Sequence, residues 1–170
     1  MNDQLSIQNI EATAAENKIV ILVTVMNRSN KDYFIWKGLR KVSYSIETHT
    51  LYIDLADKES PPPPPDIHVI SKHPKRIPPQ VRAPAGRTVI IAIPVARRIR
   101  KTSVVGNKII VEDLPIGPVE HIVCDLGYNE APLLASVSAS PEEMHGLLHE
   151  GTRIIRGETD VSSAQLKLET

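Results

Sequence analysis

"KIVILVTVM", residues 18–26, has seven apolar side chains in nine positions, and six of the nine are β-branched. β-Branched side chains are stiff at χ1 and pack well on a pleated surface. The run is apolar on both faces and reads as the central strand of a sheet. A polar cluster, Asn27 to Asp32, follows it as a turn.

Period two continues outward from this strand. Tyr33 to Lys37 is a second strand. Residues 41–47 place Val42, Tyr44 and Ile46 on one face, and residues 51–55 place Leu51, Ile53 and Leu55 on one face. With Thr48 and His49 as a turn, residues 41–55 read as a hairpin. Residues 87–95 form another apolar strand, with Pro94 near its end or on an edge because proline donates no ladder hydrogen bond. Gly106-Asn107 between two β-branched runs predicts a type II′ hairpin over 102–111. Residues 119–126 form a further strand, with Ile122, Cys124 and Leu126 on one face, and residues 5–12 form an opening strand. About eight strands result.

Helix signals occur once. Ser140 is an N-cap, Pro141 the first helical position, and Glu142 and Glu143 complement the dipole, with Gly151 as the stop. Residues 152–170 read as a polar tail. The expected organisation is an antiparallel β-sandwich over 1–135, then a short C-terminal helix and tail over 136–170.

The order resembles an immunoglobulin-like or fibronectin-type-III-like sandwich over about residues 4–130. The resemblance rests on strand 18–26 ending in a polar turn, and on the aromatic strand "YFIW" (33–36), where such domains place a core tryptophan. It rests also on "PAGRTVIIAIPV" (84–95) and "HIVCDLGY" (121–128). The paired cysteines of antibody domains are missing, since strand 18–26 has none. The resemblance implies architecture and leaves function open.

Residues 59–86 hold nine of the fourteen prolines. Pro61 to Pro65 would form polyproline II at about 3.1 Å per residue. The flanking Glu59 and Asp66 oppose the basic flank that SH3 domains favour, and no Pro-Pro-x-Tyr occurs. The stretch therefore reads as a stiff crossing between strands, with Ile67 to Ile70 as a short edge strand.

Charge is uneven although it sums to zero. Residues 67–111 hold ten basic and no acidic side chains; residues 112–170 hold three basic and eleven acidic ones. Arg97, Arg98, Arg100 and Lys101 concentrate this charge between two strands and are the candidate interaction residues. A nucleic acid could use them for phosphates. None of the six aromatic residues lies within 67–111, so stacking platforms are missing there. The alternative is that the basic block meets the acidic third, within one molecule or between two copies.

Catalytic motifs are absent: no G-x-G-x-x-G, no phosphate-binding G-x-x-x-x-G-K, no G-x-S-x-G and no C-x-x-C. Cys124, on an apolar face, reads as core. Asp54 and Asp125 show no sign in the sequence of pairing as acid and base. Glu142, His145 and His149 would share a helix face at a spacing that a metal could use, without partners from a second helix. No cofactor is expected. The single cysteine, together with an N-terminus lacking a basic and an apolar leader region, points to the cytoplasm. No run of eighteen apolar residues exists, so no membrane partner is expected. The expected function is a non-enzymatic protein-interaction module, an adaptor or accessory subunit, that binds a protein partner or itself. The rivals are a nucleic-acid-binding β domain and an intracellular protease inhibitor or protease substrate.

Overall fold

A computed structural model describes residues 4–15, 17–37, 41–56, 67–72, 79–132 and 152–161; for 68–72, 99–103 and 114 it describes the backbone alone. In chain order the strands are β1 (Leu5–Ala15), β2 (Lys18–Asn27), β3 (Tyr33–Trp36), β4 (Lys41–Ser45), β5 (Thr50–Asp54) and β6 (Ile67–Lys72). They continue with β7 (Gln80–Ala83), β8 (Thr88–Ala96), β9 (Arg98–Val105), β10 (Lys108–Pro115), β11 (His121–Asn129) and β12 (Arg153–Asp160). No helix occurs among the described residues, so none there is long and apolar enough to cross a membrane.

β2 is central, as its sequence dictates. It lies between β1 and β8 in a three-stranded antiparallel sheet. Ile19, Ile21, Val23 and Val25 are buried, and the residues between them are half-buried. Pro94 pairs in register with Val20 on β8, an edge strand of this sheet, where its missing N–H need not break an outer ladder.

The larger sheet runs β6-β4-β5-β11-β3-β7, with β12 also on β11. β11 is its hub. Residues His121 to Asp125 pair with β5 and β12 at once, so these two flank β11 on opposite sides. Tyr128 pairs with both Arg153 of β12 and Ile35 of β3. β5 and β3 therefore share one side of β11, end to end. The β5–β11 pairing is parallel, which makes this sheet mixed.

One apolar cluster draws on both sheets. Leu5, Ile21, Val23 and Ile93 come from the smaller one; Ile35, Leu51, Ile122, Cys124 and Leu126 come from the larger. The two sheets thus bury a common core, which is what alternation on each strand requires.

Several sequence expectations change. Residues 153–160 are strand β12, in continuous register with β11, not part of a polar tail; the sheet extends past residue 135. Its sequence hides this because its buried positions are Ile155 and half-buried Gly157 and Thr159. A Cβ on Gly157 would stand 2.8 Å from Ile7, so glycine lets β1 approach. Ile46 lies in the β4–β5 turn and is exposed, whereas Val42 and Tyr44 are buried as expected. His49 closes that turn at φ 53. The helix expected from Ser140 to Gly151 lies outside the described residues.

Within the proline-rich stretch, residues 59–66 and 73–78 lie outside the described residues. What is described of it includes two strands. β6 ends the sheet beside β4, and β7 pairs with β3. β7 is held by Arg82, whose Nε–H donates to Asp32 Oδ2 at 2.7 Å, and Asp32 Oδ1 accepts from Ala85 N–H at 3.0 Å. The Ala85 amide and then the Arg82 bond keep the Asp32 carboxyl below its usual range.

Candidate interaction hairpin

β9 and β10 form a two-stranded sheet separate from the other two. The two-residue turn is Gly106-Asn107. Gly106 sits at φ 62, and His49 is the one non-glycine residue at positive φ among the described residues, so Asn107 is not in that region. That pattern fits the type II′ turn expected from sequence. The base of the hairpin is fixed to the body: Ile116 N–H donates to Arg97 O at 2.8 Å, and Ile116 is buried in the common core.

The arm is apolar where a soluble chain rarely is. Val104 is 71% exposed, Val105 61%, Ile109 72% and Val111 54%. Ile109 stands opposite Val104, and Val111 opposite Thr102, so Val104, Ile109 and Val111 share one face. Within the described residues β10 pairs with β9 alone, and its outer edge is open. β9 runs close to β6, the end strand of the larger sheet, without pairing to it, and clustered exposed apolar residues mark a contact surface.

The basic run lies at the root of this arm rather than on a loop. Arg97 occupies the bend between β8 and β9; the other three are on β9. Arg97 is half-buried, and burial lowers its pKa. Its Nη1 is buried with no hydrogen-bond partner among the described residues. Arg98 is exposed. Register sets Arg100 opposite Asp113 and Lys101 opposite Glu112. The first two acids of the acidic third thus stand against the last two cations of the run. Sequence reading found the cations but not these partners, because cross-strand pairing depends on where the turn falls.

No metal-binding group of three or more His, Cys, Asp or Glu occurs among the described residues. Glu142, His145 and His149 lie outside them. The nearest arrangement to paired carboxylates is one that the sequence did not reveal: Asp54 and Asp125 are register partners across β5 and β11. Both have structural work. Arg156 donates Nε–H to Asp125 Oδ1 at 2.8 Å and Nη2–H to Oδ2 at 2.9 Å, a bidentate fork that raises the Arg156 pKa. Asp54 Oδ1 accepts the Ala56 N–H at 2.8 Å. His121, exposed, contacts Asp160 with Nδ1 to Oδ1 at 2.5 Å and ties the same two strands as Arg156.

Cys124 is fully buried. Burial, and then the charges of Asp125 and Asp54, push its thiol up to about 12. About one thiol in ten thousand would be ionised at pH 8. Iodoacetamide at pH 8 should leave the folded chain unmodified, and denaturant should make Cys124 react within minutes; mass spectrometry reads both. Rapid alkylation without denaturant would contradict this burial.

Comparison with protein-family models, with curated proteins and with solved structures gives no match to this chain.

Proposed function

We propose that this chain is a non-catalytic protein-interaction module, an adaptor or accessory subunit, which binds through hairpin β9–β10. The carrying observation is an apolar arm that pairs with neither of the other sheets, is fixed at its root, and exposes Val104, Val105, Ile109 and Val111. The architecture belongs to the same proposal. The orders β1-β2-β8 and β3-β11-β12 correspond to strands A-B-E and C-F-G of an immunoglobulin-like sandwich. β4 to β6 and the arm itself are then insertions. A cytoplasmic setting suits the single buried thiol.

The charge layout favours protein over nucleic acid. Phosphate binding needs cations free of local acids, and two of the four stand opposite Asp113 and Glu112. Nothing in the hairpin favours a protease cleft over another protein surface.

Threonine keeps β-branching while adding a hydroxyl, so Val104→Thr, Ile109→Thr and Val111→Thr together strip one face without removing strand propensity. Tagged wild-type chain should recover partners from native extract with or without nuclease. The triple variant should lose them. Recovery that is nuclease-sensitive and indifferent to the triple variant would favour a nucleic acid and end the hairpin reading.

A further inference from the structure

We infer that the partner of this arm is a second copy of the chain, joined by two-fold antiparallel pairing of β10 with β10 about Ile110. The inference rests on the hairpin being the contact surface. It follows from backbone parity and charge. A two-residue turn closes on a hydrogen-bonded pair, here Val105 and Lys108. Lys108, Ile110 and Glu112 therefore point their N–H and C=O groups at β9. Ile109 and Val111 point theirs outward, away from β9, along the edge that no described strand pairs with. Residues directly opposite in an antiparallel pair must be of one type, both hydrogen-bonded or both not. A two-fold pairing must accordingly place some residue opposite its own copy.

Few registers exist. With Ile109 on the axis, Lys108 meets Ile110 and Glu112 meets Gly106, so no charge is matched. With Val111 on the axis, Glu112 meets Ile110 and Asp113 meets Ile109. With Glu112 on the axis, like charges meet. Ile110 on the axis sets Lys108 opposite Glu112 twice, Ile109 opposite Val111 twice, and Ile110 opposite itself. Both charges of residues 108–112 are then matched and each apolar residue among them meets another, while Asp113 meets polar Asn107; Ile109 and Val111 exchange the hydrogen bonds that this edge leaves open among the described residues. The exposed side chains of β10 thus form a charge palindrome, Lys-Ile-Ile-Val-Glu, over residues 108–112. A sheet edge carrying its own complement is the pattern of an isologous interface.

Sedimentation of the full chain over a concentration series tests this. The wild type should show a monomer–dimer equilibrium. Lys108→Glu alone, and Glu112→Lys alone, each turn two attractive pairs repulsive and should raise the dissociation constant about tenfold or more. The double swap should restore it. A cysteine at the axis adds a geometric readout: a non-hydrogen-bonded pair spaces its Cα atoms at about 4.5 Å, within disulfide range. Ile110→Cys should cross-link to a dimer under diamide, while Val111→Cys, whose copy lies off axis, should not; buried Cys124 does not compete. A wild type that stays monomeric at all concentrations overturns the two-fold pairing, as does a dimer indifferent to the charge swaps or one cross-linked through position 111. If the chain is monomeric yet the triple threonine variant still loses extract partners, the pairing falls and the interaction reading stands. If neither self-association nor recovery depends on the hairpin, both fall.

Discussion

Replacing Trp36 with alanine should lower unfolding free energy by about 3–5 kcal/mol, the usual range for deleting a buried large aromatic. Trp36 is fully buried but does not belong to the core shared by the two sheets. Tyr33 and Ile35 of β3 face that core, so Trp36 lies on the opposite face, against Gly127 and Ala56. A Cβ on Gly127 would come within 3.1 Å of the indole, so glycine makes the seat. The indole Nε1–H donates to Asn129 Oδ1 at 2.6 Å, and Asn129 Nδ2–H donates to Thr152 Oγ1 at 2.9 Å. The tryptophan thereby joins β3, the end of β11 and the residue that leads into β12. Alanine leaves both a cavity and an unsatisfied buried acceptor. Phenylalanine fills most of the space and loses the bond, so Trp36→Phe should cost about 1–3 kcal/mol. Urea unfolding followed by circular dichroism measures both; fluorescence would not, because Trp36 is the one tryptophan. A loss under 1 kcal/mol for Trp36→Ala would mean that this face is not packed.

Asn27→Ala should cost about 2–3 kcal/mol through polar groups rather than volume. Asn27 is fully buried at the end of β2. Its Nδ2 donates to Lys31 O and to Ala83 O, each at 2.8 Å, and its Oδ1 accepts from Ser29 N–H at 3.0 Å and Ser29 Oγ–H at 2.7 Å. One amide thus closes the turn between β2 and β3 and links it to the end of β7. Alanine strands these backbone groups. Asn27→Asp keeps the bonds to Ser29 but turns the donor into an oxygen facing two carbonyl oxygens, so it should cost more than alanine. Asp at or above wild-type stability in the same urea experiment would contradict these bonds.

Strands with strong side-chain alternation were legible in the sequence. β2, β8, β11 and the β4–β5 hairpin carry much of their burial in β-branched, aromatic or leucine positions. So does the β9–β10 turn, since glycine at the first central position narrows the choice. Two strands were not legible. β7 is four residues set among Pro78, Pro79 and Pro84, and what makes it a strand is pairing to β3 and the Arg82–Asp32 contact, both far away in sequence. β12 buries Ile155, half-buries Gly157 and Thr159, and is held by ion pairs to β11, so no apolar period announces it. The tryptophan was rightly read as buried but placed in the wrong layer. Trp36 is one residue past Ile35, and a period of two sends neighbours to opposite faces. For the site, the sequence exposed the cations and missed the apolar arm. "SVVGNKIIV" (103–111) looks like any core hairpin; Val104 and Ile109 are exposed because no described element covers them.

The stability of the triple threonine variant at Val104, Ile109 and Val111 tests the central claim most directly. If the arm is a contact surface reserved for a partner, these side chains add nothing to the fold of the free chain. Urea unfolding of dilute protein should then give a free energy within about 0.5 kcal/mol of wild type, the range for surface substitutions. A loss of about 2 kcal/mol or more, the cost of placing unpartnered hydroxyls in a core, would show that the arm is covered by its own chain, and would contradict its role as an interaction surface.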